Sequence, residues 1–517
     1  MGVLDGIISG LLLSITPMSL LLICMGLVLG FAVGVLPGFS SPNAAAIMLP
    51  FSLALAPHDA LILFAAIYAG STFAGAVPAI LLNIPGTAGA AATTLDGRPL
   101  ALAGKADYAI GIARTASAFG GVAGLAITIA LIGPMSFLAL RVGPPELFLI
   151  ALFGLSVIAS VVGKDVWKGL AAGLLGMLIA SMSADPMAAQ GRMTFGILEL
   201  YQNVPIVAAV IGIFAFSEMF MMAGTRARTA LSSSPEERRR FLSRAFSLES
   251  MLVVWSGVVA TVTKPFQVLR AAIVGVFLGA IPGVGASVAN FVSYGIAKRQ
   301  SKTPETYGQG NPEGVIASES CDSALAGGTM IPTLTLGIPG NATTAVMLAA
   351  LYLHGIAPGP QVMAQNAPIA YAVLWALLIS SFLILPIGIL LASPLTAILA
   401  VRREILVPII VVVSVIGAFA VRNSMVDVYI AVAFGFLGVA LRMSGFPIIP
   451  VILGLILGPM AEGAFVRSLM LGRSDISIFW SSTLSQVFIA ALAGIILLNI
   501  VRSIRDRRSN KAEKDAA

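Results

Sequence analysis

Charged side chains are scarce in this 517-residue chain: Lys, Arg, Asp and Glu make up 10% of it, against about 25% in an average soluble domain. Two cysteines and two histidines are too few for a disulfide framework or a Cys/His metal site. The sequence contains no P-loop, no zinc motif and no Ser-His-Asp arrangement, and no long hydrophilic stretch that could form a catalytic domain. These absences argue against a soluble enzyme.

Hydrophobic residues, in contrast, make up 58% of the chain and form long apolar runs from end to end. Clear examples are residues 147–162, 204–222, 374–391 and 478–501. A helix needs ~20 apolar residues to cross a bilayer, and by that measure we count roughly 10 to 14 spans, including broken ones. We therefore expect an all-α polytopic membrane protein surrounded by lipid.

The net charge of +7 comes from short loops and from the tail after Val501. The densest loop, residues 226–244, contains six arginines, and its Ser234-Pro-Glu-Glu sequence is typical of a helix start. Because cytoplasmic loops of membrane proteins are enriched in Lys and Arg, both basic segments are expected in the cytoplasm, and nucleic acid is not an expected partner. We predict a basic cytoplasmic linker with a short amphipathic helix at 225–248 and a basic cytoplasmic tail at 502–517.

Two motifs occur twice, in the same order. The segment GFAVGVLPG at 30–38 returns as GVFLGAIPG at 275–283, and VPAILLNIPG at 77–86 returns as IPTLTLGIPG at 331–340. The chain is therefore predicted to hold two related transmembrane repeats, residues 1–224 and 249–501. Paired helix breaks at corresponding positions are a known sign of a transport site.

The charges of the loops also suggest how the repeats are oriented. After the first Pro-Gly, the loop at 51–60 in repeat one has no Lys or Arg, whereas the equivalent loop at 298–302 in repeat two is basic. After the second Pro-Gly the charges are reversed: repeat one carries Arg98 and Lys105, and the loop at 352–360 in repeat two has no Lys or Arg. Equivalent loops that exchange their charge predict inverted-topology repeats with re-entrant segments.

Each Pro-Gly is expected to end one helical segment and start another. Such breaks survive in a membrane only where protein or a wet cavity surrounds them, and each new helix start offers unpaired N–H groups to an anion. Small polar residues and glycines follow the breaks, and we predict that they bind substrate: Gly38, Ser40, Ser41, Asn83, Gly86, Thr87, Gly283, Ser287, Gly340, Asn341, Thr343 and Thr344. A single Pro-Gly kink could merely serve helix packing, but four in matched pairs favour a site.

Several stretches resemble the large membrane subunit of the tripartite tricarboxylate transporter family, the TctA type. They are residues 30–50, 80–104 (with ILLNIPG and TTLDG), 192–196 (RMTFG) and 331–359, and the resemblance extends over nearly the whole chain. It implies a bacterial inner-membrane importer of organic carboxylates, driven by an ion gradient of H⁺ or Na⁺ and without a cofactor. It also implies two partners, a periplasmic substrate-binding protein and a small transmembrane subunit.

Carboxylates within apolar sequence are functional candidates by default, and three are predicted to couple ion movement to transport: Asp96, Glu319 and Asp322. Each could also have a simpler role. Asp96 could cap its own backbone in a turn, and Glu319 and Asp322 could be solvated carboxylates of a loop.

Two other transport functions stay open. A carrier that works without a binding protein, or a passive channel, could use the same broken helices. An intramembrane enzyme would need a catalytic dyad on facing spans, and the available carboxylates lie close to loops, so we predict no enzymatic activity.

Overall fold

The computed structural model describes residues 3–36, 39–139, 141–162, 166–184, 190–224, 248–390, 403–494 and 497. Within them the only strands are β1 (Ser183–Ala184) and β2 (Gly191–Arg192), an antiparallel pair, and nearly everything else is helical. The all-α polytopic class is confirmed.

Seven described helical segments are long and apolar enough to cross a membrane, and a bent pair brings the number to eight. That pair, Val253–Val262 and Pro265–Gly279, bends by 75° at its break. Six further apolar helices of 10–17 residues are described as well, Leu4–Ser14 and Ala342–Leu353 among them. How many of these complete a span together with a neighbour stays a prediction.

The chain forms two compact units, one of Met1–Phe137 with Val207–Val439 and one of Leu138–Ile206 with Ala440–Ala517. The predicted linker lies outside the described residues up to 247, and so does the whole tail. Helix α12 (Leu248–Val262) begins at the last residue of the predicted linker. The repeat boundaries, and the amphipathic helix predicted within the linker, stay predictions.

The helices of the first unit fall into two series. The first series is α1 (Val3–Ser14), α2 (Pro17–Val35), α3 (Ser41–Met48), α4 (Pro57–Ala74), α5 (Ala76–Leu82), α6 (Thr94–Leu102) and α7 (Ala106–Ala139). The second series is α12 (Leu248–Val262), α13 (Pro265–Gly279), α14 (Gly285–Gln300), α15 (Pro312–Leu336), α16 (Ala342–Leu353), α17 (Pro360–Gln365) and α18 (Ala367–Leu390). Short helical turns at Pro50–Ala54, Gly89–Ala91 and Pro304–Thr306 connect some of them.

The unit also contains α10 (Ile206–Val210), a π-helical stretch Ile211–Phe216, α11 (Ser217–Gly224), α19 (Arg403–Arg422) and α20 (Met425–Met443). The second unit contains α8 (Pro144–Val162), α9 (Val166–Ala180), a turn at Leu198–Gln202, α21 (Ile449–Leu471), a turn at Ile476–Trp480 and α22 (Thr483–Gly494).

The two series repeat the same helix crossings. A Cβ on Gly30 of α2 would meet the Ile67 carbonyl of α4, and a Cβ on the matching Gly275 of α13 would meet the Cys321 carbonyl of α15. Four residues further on, Gly34 and Gly279 make the same approach to the next carbonyl pair, Ser71 and Leu325. Only glycine allows two helix backbones to pack this closely. Helices α2 and α4 are thus equivalent to α13 and α15.

Local sequence explains where several of these helices begin. Thr16 accepts the Ser19 N–H and stands before Pro17, and Asn311 accepts the Glu313 N–H and stands before Pro312. A polar N-cap followed by proline at the first helical position is a common helix start. The cap supplies an acceptor for a first-turn N–H, and proline has no N–H to satisfy.

Inside the second unit, α21 packs against α8 and α9. Gly176 and Gly454 provide the close crossing of α9 and α21, where any Cβ would meet backbone. Arg192, at the start of the RMTFG motif, donates to both carboxylate oxygens of Glu462 at 2.5 and 3.1 Å. The bidentate pair ties β2 to α21.

Candidate functional site

The second Pro-Gly break has the same backbone geometry in both series. Helix α5 ends at Asn83, which is left-handed at φ 59°, and α15 ends at Gly337, left-handed at φ 72°. Each donates its N–H to a proline carbonyl five residues earlier, Pro78 and Pro332. The next residues, Ile84 and Ile338, bond to the same carbonyls at 3.3 and 3.2 Å. These bonds satisfy carbonyls that a helix end otherwise leaves unpaired.

The first break is described fully only in the second series. There the chain turns at Gly283 and Gly285, both left-handed at φ 84° and 72°. In the first series Gly38 lies outside the described residues, and Ser40 is the N-cap of α3 without a side-chain capping bond. Gly283 donates its N–H to the Gly340 carbonyl at 3.1 Å, which joins the two breaks of the second series.

Across the series, the first break of each contacts the second break of the other. Ser41 and Thr343 share a hydroxyl hydrogen bond of 2.8 Å. Ser287 donates to the Ala88 carbonyl at 2.7 Å, and Asn290 donates its side-chain N–H to the Gly89 carbonyl at 2.9 Å. All four breaks therefore meet in one region of the first unit.

Asn341 stands at the centre of one of these contacts. Its Oδ1 accepts the Thr344 N–H and its own N–H donates to Thr344 Oγ1, both at 3.0 Å, which is a complete capping box at the start of α16. Its Nδ2 donates to the Tyr68 hydroxyl at 2.5 Å. The arrangement places hydroxyl groups, an amide and the positive end of a 12-residue helix side by side.

Asp322 lies at the other contact. Its side chain is 4% exposed and lies against the turn Gly89–Ala91 so closely that a Cβ on Gly89 would overlap its carboxylate. The side-chain amide of Asn290 hydrogen bonds to it. Since Cys321 corresponds to Ile67 in the repeated crossing, Asp322 is the counterpart of Tyr68.

Glu319 lies one turn before Asp322 in α15 and is fully buried. Thr93, which precedes α6, donates its hydroxyl to one carboxylate oxygen, and Ser117 of α7 donates to the other at 3.1 Å. Residues 312–336 form one continuous helix, so the alternative that Glu319 and Asp322 are solvated loop carboxylates is wrong. Among the described residues no Lys, Arg or His forms an ion pair with either.

Asp96 joins the two series at a further place. One carboxylate oxygen accepts the backbone N–H groups of Gly308, Gly310 and Asn311 at 2.8–2.9 Å, and the other accepts the Tyr294 hydroxyl at 2.8 Å. It therefore holds the loop between α14 and α15 and does not cap its own backbone. The geometry describes an anchor; a role in ion coupling stays a prediction.

The loop held by Asp96 is further fixed by Tyr307, which donates to Glu313 at 3.0 Å and packs edge-on against the Tyr294 ring. Burial, together with the neighbouring Glu313 carboxylate, raises the pKa of Tyr307 above its ordinary value. Its hydroxyl therefore stays protonated and keeps donating.

The remaining predicted residues lie in the same region. Gly86 donates its N–H to the Gly75 carbonyl at 3.1 Å, and no Cβ would fit between them. The Thr87 hydroxyl is buried without a hydrogen-bond partner among the described residues, and Gly340 donates its N–H to the Thr333 hydroxyl at 3.3 Å. Among the twelve predicted substrate residues, Gly38 alone lies outside the described residues, and the others line or support the four breaks.

Sequence reasoning did not select Tyr68, Asn290, Thr93 or Ser117 as site residues. Asn290 and Thr93 do follow the breaks among other small polar residues, so the signal was present but not specific. Tyr68 could have been found from the repeat, because it lies as far before its break as Asp322 lies before the equivalent one. Ser117 lies in an apolar helix, and nothing in the sequence marks it.

Comparison with known proteins agrees with the motifs. The model of the tripartite tricarboxylate transporter TctA family matches residues 20–453. An uncharacterized 52.8 kDa protein in the TAR-I ttuC' 3' region of Agrobacterium vitis is 32% identical over 498 residues, which cover 96% of each chain. An uncharacterized protein in the TAR-II ttuC' 3' region of the same organism is 32% identical over 241 residues, 47% of this chain and the whole of that one. With helices that can cross a membrane and a family match over most of its length, this chain belongs to the tripartite tricarboxylate transporter TctA family.

Proposed function

We propose that this protein is the large membrane subunit of an ion-gradient-driven, binding-protein-dependent importer of organic dicarboxylates or tricarboxylates. The observation that supports this most is the meeting of all four helix breaks in the first unit, through the bonds of Ser41, Ser287 and Asn290. Family membership supports the two partners, a periplasmic binding protein that delivers substrate and a small transmembrane subunit, and placement in the bacterial inner membrane. The basic residues after Val501 support a cytoplasmic C-terminus.

In this proposal a substrate carboxylate binds where Ser41, Thr343 and Asn341 meet the start of α16. Hydroxyl and amide groups donate to the carboxylate. The N-terminus of α16 adds a favourable dipole and the first-turn N–H groups that the capping box of Asn341 and Thr344 does not use. These groups recognise a carboxylate without a lysine or arginine, so the anion is not bound so tightly that release becomes slow. Tyr68, bonded to Asn341, positions that amide.

Ion coupling is proposed to use the buried carboxylates of α15, with Asp96 as a third candidate. Burying a negative carboxylate without a paired cation costs free energy, and binding a coupling H⁺ or Na⁺ removes that cost by neutralising the charge. Glu319 and Asp322 lie in the helix that ends at the second break, so ion binding there can act on the substrate position through α15.

The test is uptake into proteoliposomes that contain this protein and the small subunit, with and without the binding protein. Uptake against a concentration gradient only when the binding protein is added supports the proposal. Uptake without it would show a stand-alone carrier, and equilibration without accumulation would show a passive channel.

The site is tested by Asn341→Leu and Thr344→Leu, which are expected to abolish uptake while membrane insertion is retained. Asn341 also caps α16, and loss of an N-cap costs about 0.5–2 kcal/mol of stability. The matched control is therefore Thr16→Leu, which removes the N-cap of α2 at a position away from the breaks. Normal uptake in Asn341→Leu would remove the second break from the substrate site.

Coupling is tested by Glu319→Gln, which keeps the shape of the side chain and removes its charge. We expect altered ion or pH dependence with a smaller change in substrate affinity. An unchanged ion requirement would show that Glu319 does not couple.

A further inference from the structure

Tyr68 and Asp322 occupy equivalent positions, yet they offer opposite chemistry. Each lies one residue after the carbonyl that a repeated glycine contacts, and each reaches the second break of the other series, Tyr68 at Asn341 and Asp322 at Gly89. At the Tyr68 position the groups are a phenol, an amide and a helix N-terminus, which suit an anion. At the Asp322 position the group is a carboxylate.

The surroundings of Asp322 are rich in oxygen and lack a positive charge. No Lys, Arg or His among the described residues pairs with it, although it is 4% exposed. Asn290 is fully buried beside it, and Oδ1 of Asn290 has no hydrogen-bond partner in the described part of the chain. The Asp322 carboxylate accepts from the Asn290 NH₂ group but has no cation beside it, and the Asn290 oxygen has no donor. Burying both groups in this way is costly, and together they indicate a missing positive ligand.

The orientation of the Asn290 amide follows from its other contact. Its NH₂ group donates to the Gly89 carbonyl, which can only accept, so the oxygen must be the atom that is left unpaired. One proton on Asp322 would give a single donor. A metal cation, in contrast, can be bound by the carboxylate and by the amide oxygen at the same time.

We propose that Asp322 and Asn290 bind Na⁺, at a position separate from the substrate carboxylate at Asn341 and Tyr68. Carboxylate and amide oxygens are ligands for hard cations, and no thiolate or imidazole of the described residues forms a metal cluster with them. Gly89 leaves the space that the carboxylate occupies, since a Cβ there would overlap it. The two repeats have thus diverged into a cation position and an anion position.

This inference rests on the proposed function only in taking Na⁺ as the coupling ion, and Na⁺ binding can be measured without transport. The full-length protein is purified in detergent without substrate. Its thermal unfolding is followed in NaCl and in choline chloride of equal ionic strength, and equilibrium binding of ²²Na⁺ is measured. We expect saturable Na⁺ binding and a Na⁺-specific rise of the unfolding temperature, because a ligand of the folded state stabilises it.

Asp322→Asn is expected to weaken Na⁺ binding by roughly tenfold or more, because the charge of the ligands sets cation affinity. Gly89→Ala is expected to do the same while the carboxylate is still present. Asp59→Asn is the matched control. Asp59 lies in the first turn of α4 and is a buried carboxylate that accepts from the Ser19 hydroxyl, and we expect an unchanged Na⁺ response in this variant.

Absence of Na⁺ binding in the unaltered protein, or equal binding in Asp322→Asn, would overturn the assignment. If uptake is driven by Na⁺ while Asp322→Asn binds Na⁺ normally, the transport proposal stands and this site is wrong. If Na⁺ binds as predicted but uptake ignores the Na⁺ gradient, the site stands and the coupling in the proposed function is wrong.

Discussion

Helices α4 and α15 share one framework and differ in what they present to the breaks. Both cross a glycine-containing partner with the same spacing of contacts, and both precede a left-handed residue that bonds to a proline carbonyl. Yet α15 holds Glu319 and Asp322, whereas α4 has Ala65 and Tyr68 at the matching places. Close backbone packing disfavours any side chain at the glycines, whereas side chains that face a polar region can diverge, and the two repeats differ there.

The largest effect is expected when the carboxylate of the second series is introduced at the equivalent position of the first. Tyr68→Asp puts a carboxylate beside Asn341, where we propose that the substrate carboxylate binds. Like charges at close range cost several kcal/mol, so substrate affinity should fall by ~100-fold or more and uptake should vanish. Substrate binding is measured by calorimetry and uptake in proteoliposomes.

The control for this change is Tyr68→Phe, which removes one hydrogen-bonding group and adds no charge. Loss of one neutral hydrogen bond costs about 0.5–1.5 kcal/mol, so affinity should fall by about tenfold at most. If the aspartate variant transports as well as the phenylalanine variant, no anion binds at this position.

A second prediction concerns a contact that has no counterpart. Asp96 accepts three backbone N–H groups and one hydroxyl, while the corresponding stretch of the second series, Ala342–Leu353, has no carboxylate. Asp96→Ala should lower the free energy of unfolding by at least ~2 kcal/mol, since each buried donor left unpaired costs about 1–3 kcal/mol.

Limited proteolysis should show faster cleavage between residues 301 and 311 in the Asp96→Ala variant than in the unaltered protein. Glu305→Ala changes an exposed carboxylate of the same loop and serves as the control, with no change expected. Equal cleavage in both variants would mean that Asp96 does not hold the loop.

The smallest effects test whether the framework really is the same in both series. Gly30→Ala and Gly275→Ala each push a methyl group into a facing carbonyl, and overpacking of this kind costs about 1–3 kcal/mol. We expect similar falls in unfolding temperature for the two variants.

For the glycine pair the control is Gly295→Ala, because a Cβ there meets nothing within 4 Å and alanine favours a helix. It should be neutral or stabilising. A large fall for one glycine of the pair and none for the other would show that the two crossings are not equivalent.

Much of this arrangement could be predicted from the sequence. The repeated Pro-Gly motifs located all four breaks, because proline and glycine act on their own backbone and need no distant partner. The apolar runs gave the membrane class for the same reason. Ser41, Ser287, Asn341 and Thr343 were selected as neighbours of the breaks, and the structure places each of them in a contact between the series.

Other features could not be predicted. Glu319 and Asp322 lie among Ser, Gly and Thr residues, which lower the mean hydropathy of residues 312–336 and favour a loop over a membrane helix. The segment is nevertheless a buried helix, because protein and not lipid surrounds it. Ser117 became a partner of Glu319 only through the packing of α7 on α15.

The sequence by itself thus determined the membrane class, the duplication and the positions where helices break, since all three are properties of composition and local backbone chemistry. Only the tertiary structure decided that the first break of each series meets the second break of the other, and that Asp322 is left beside an unpaired amide oxygen. The contacts between the breaks join residues some 200 to 300 positions apart, and no local pattern records them.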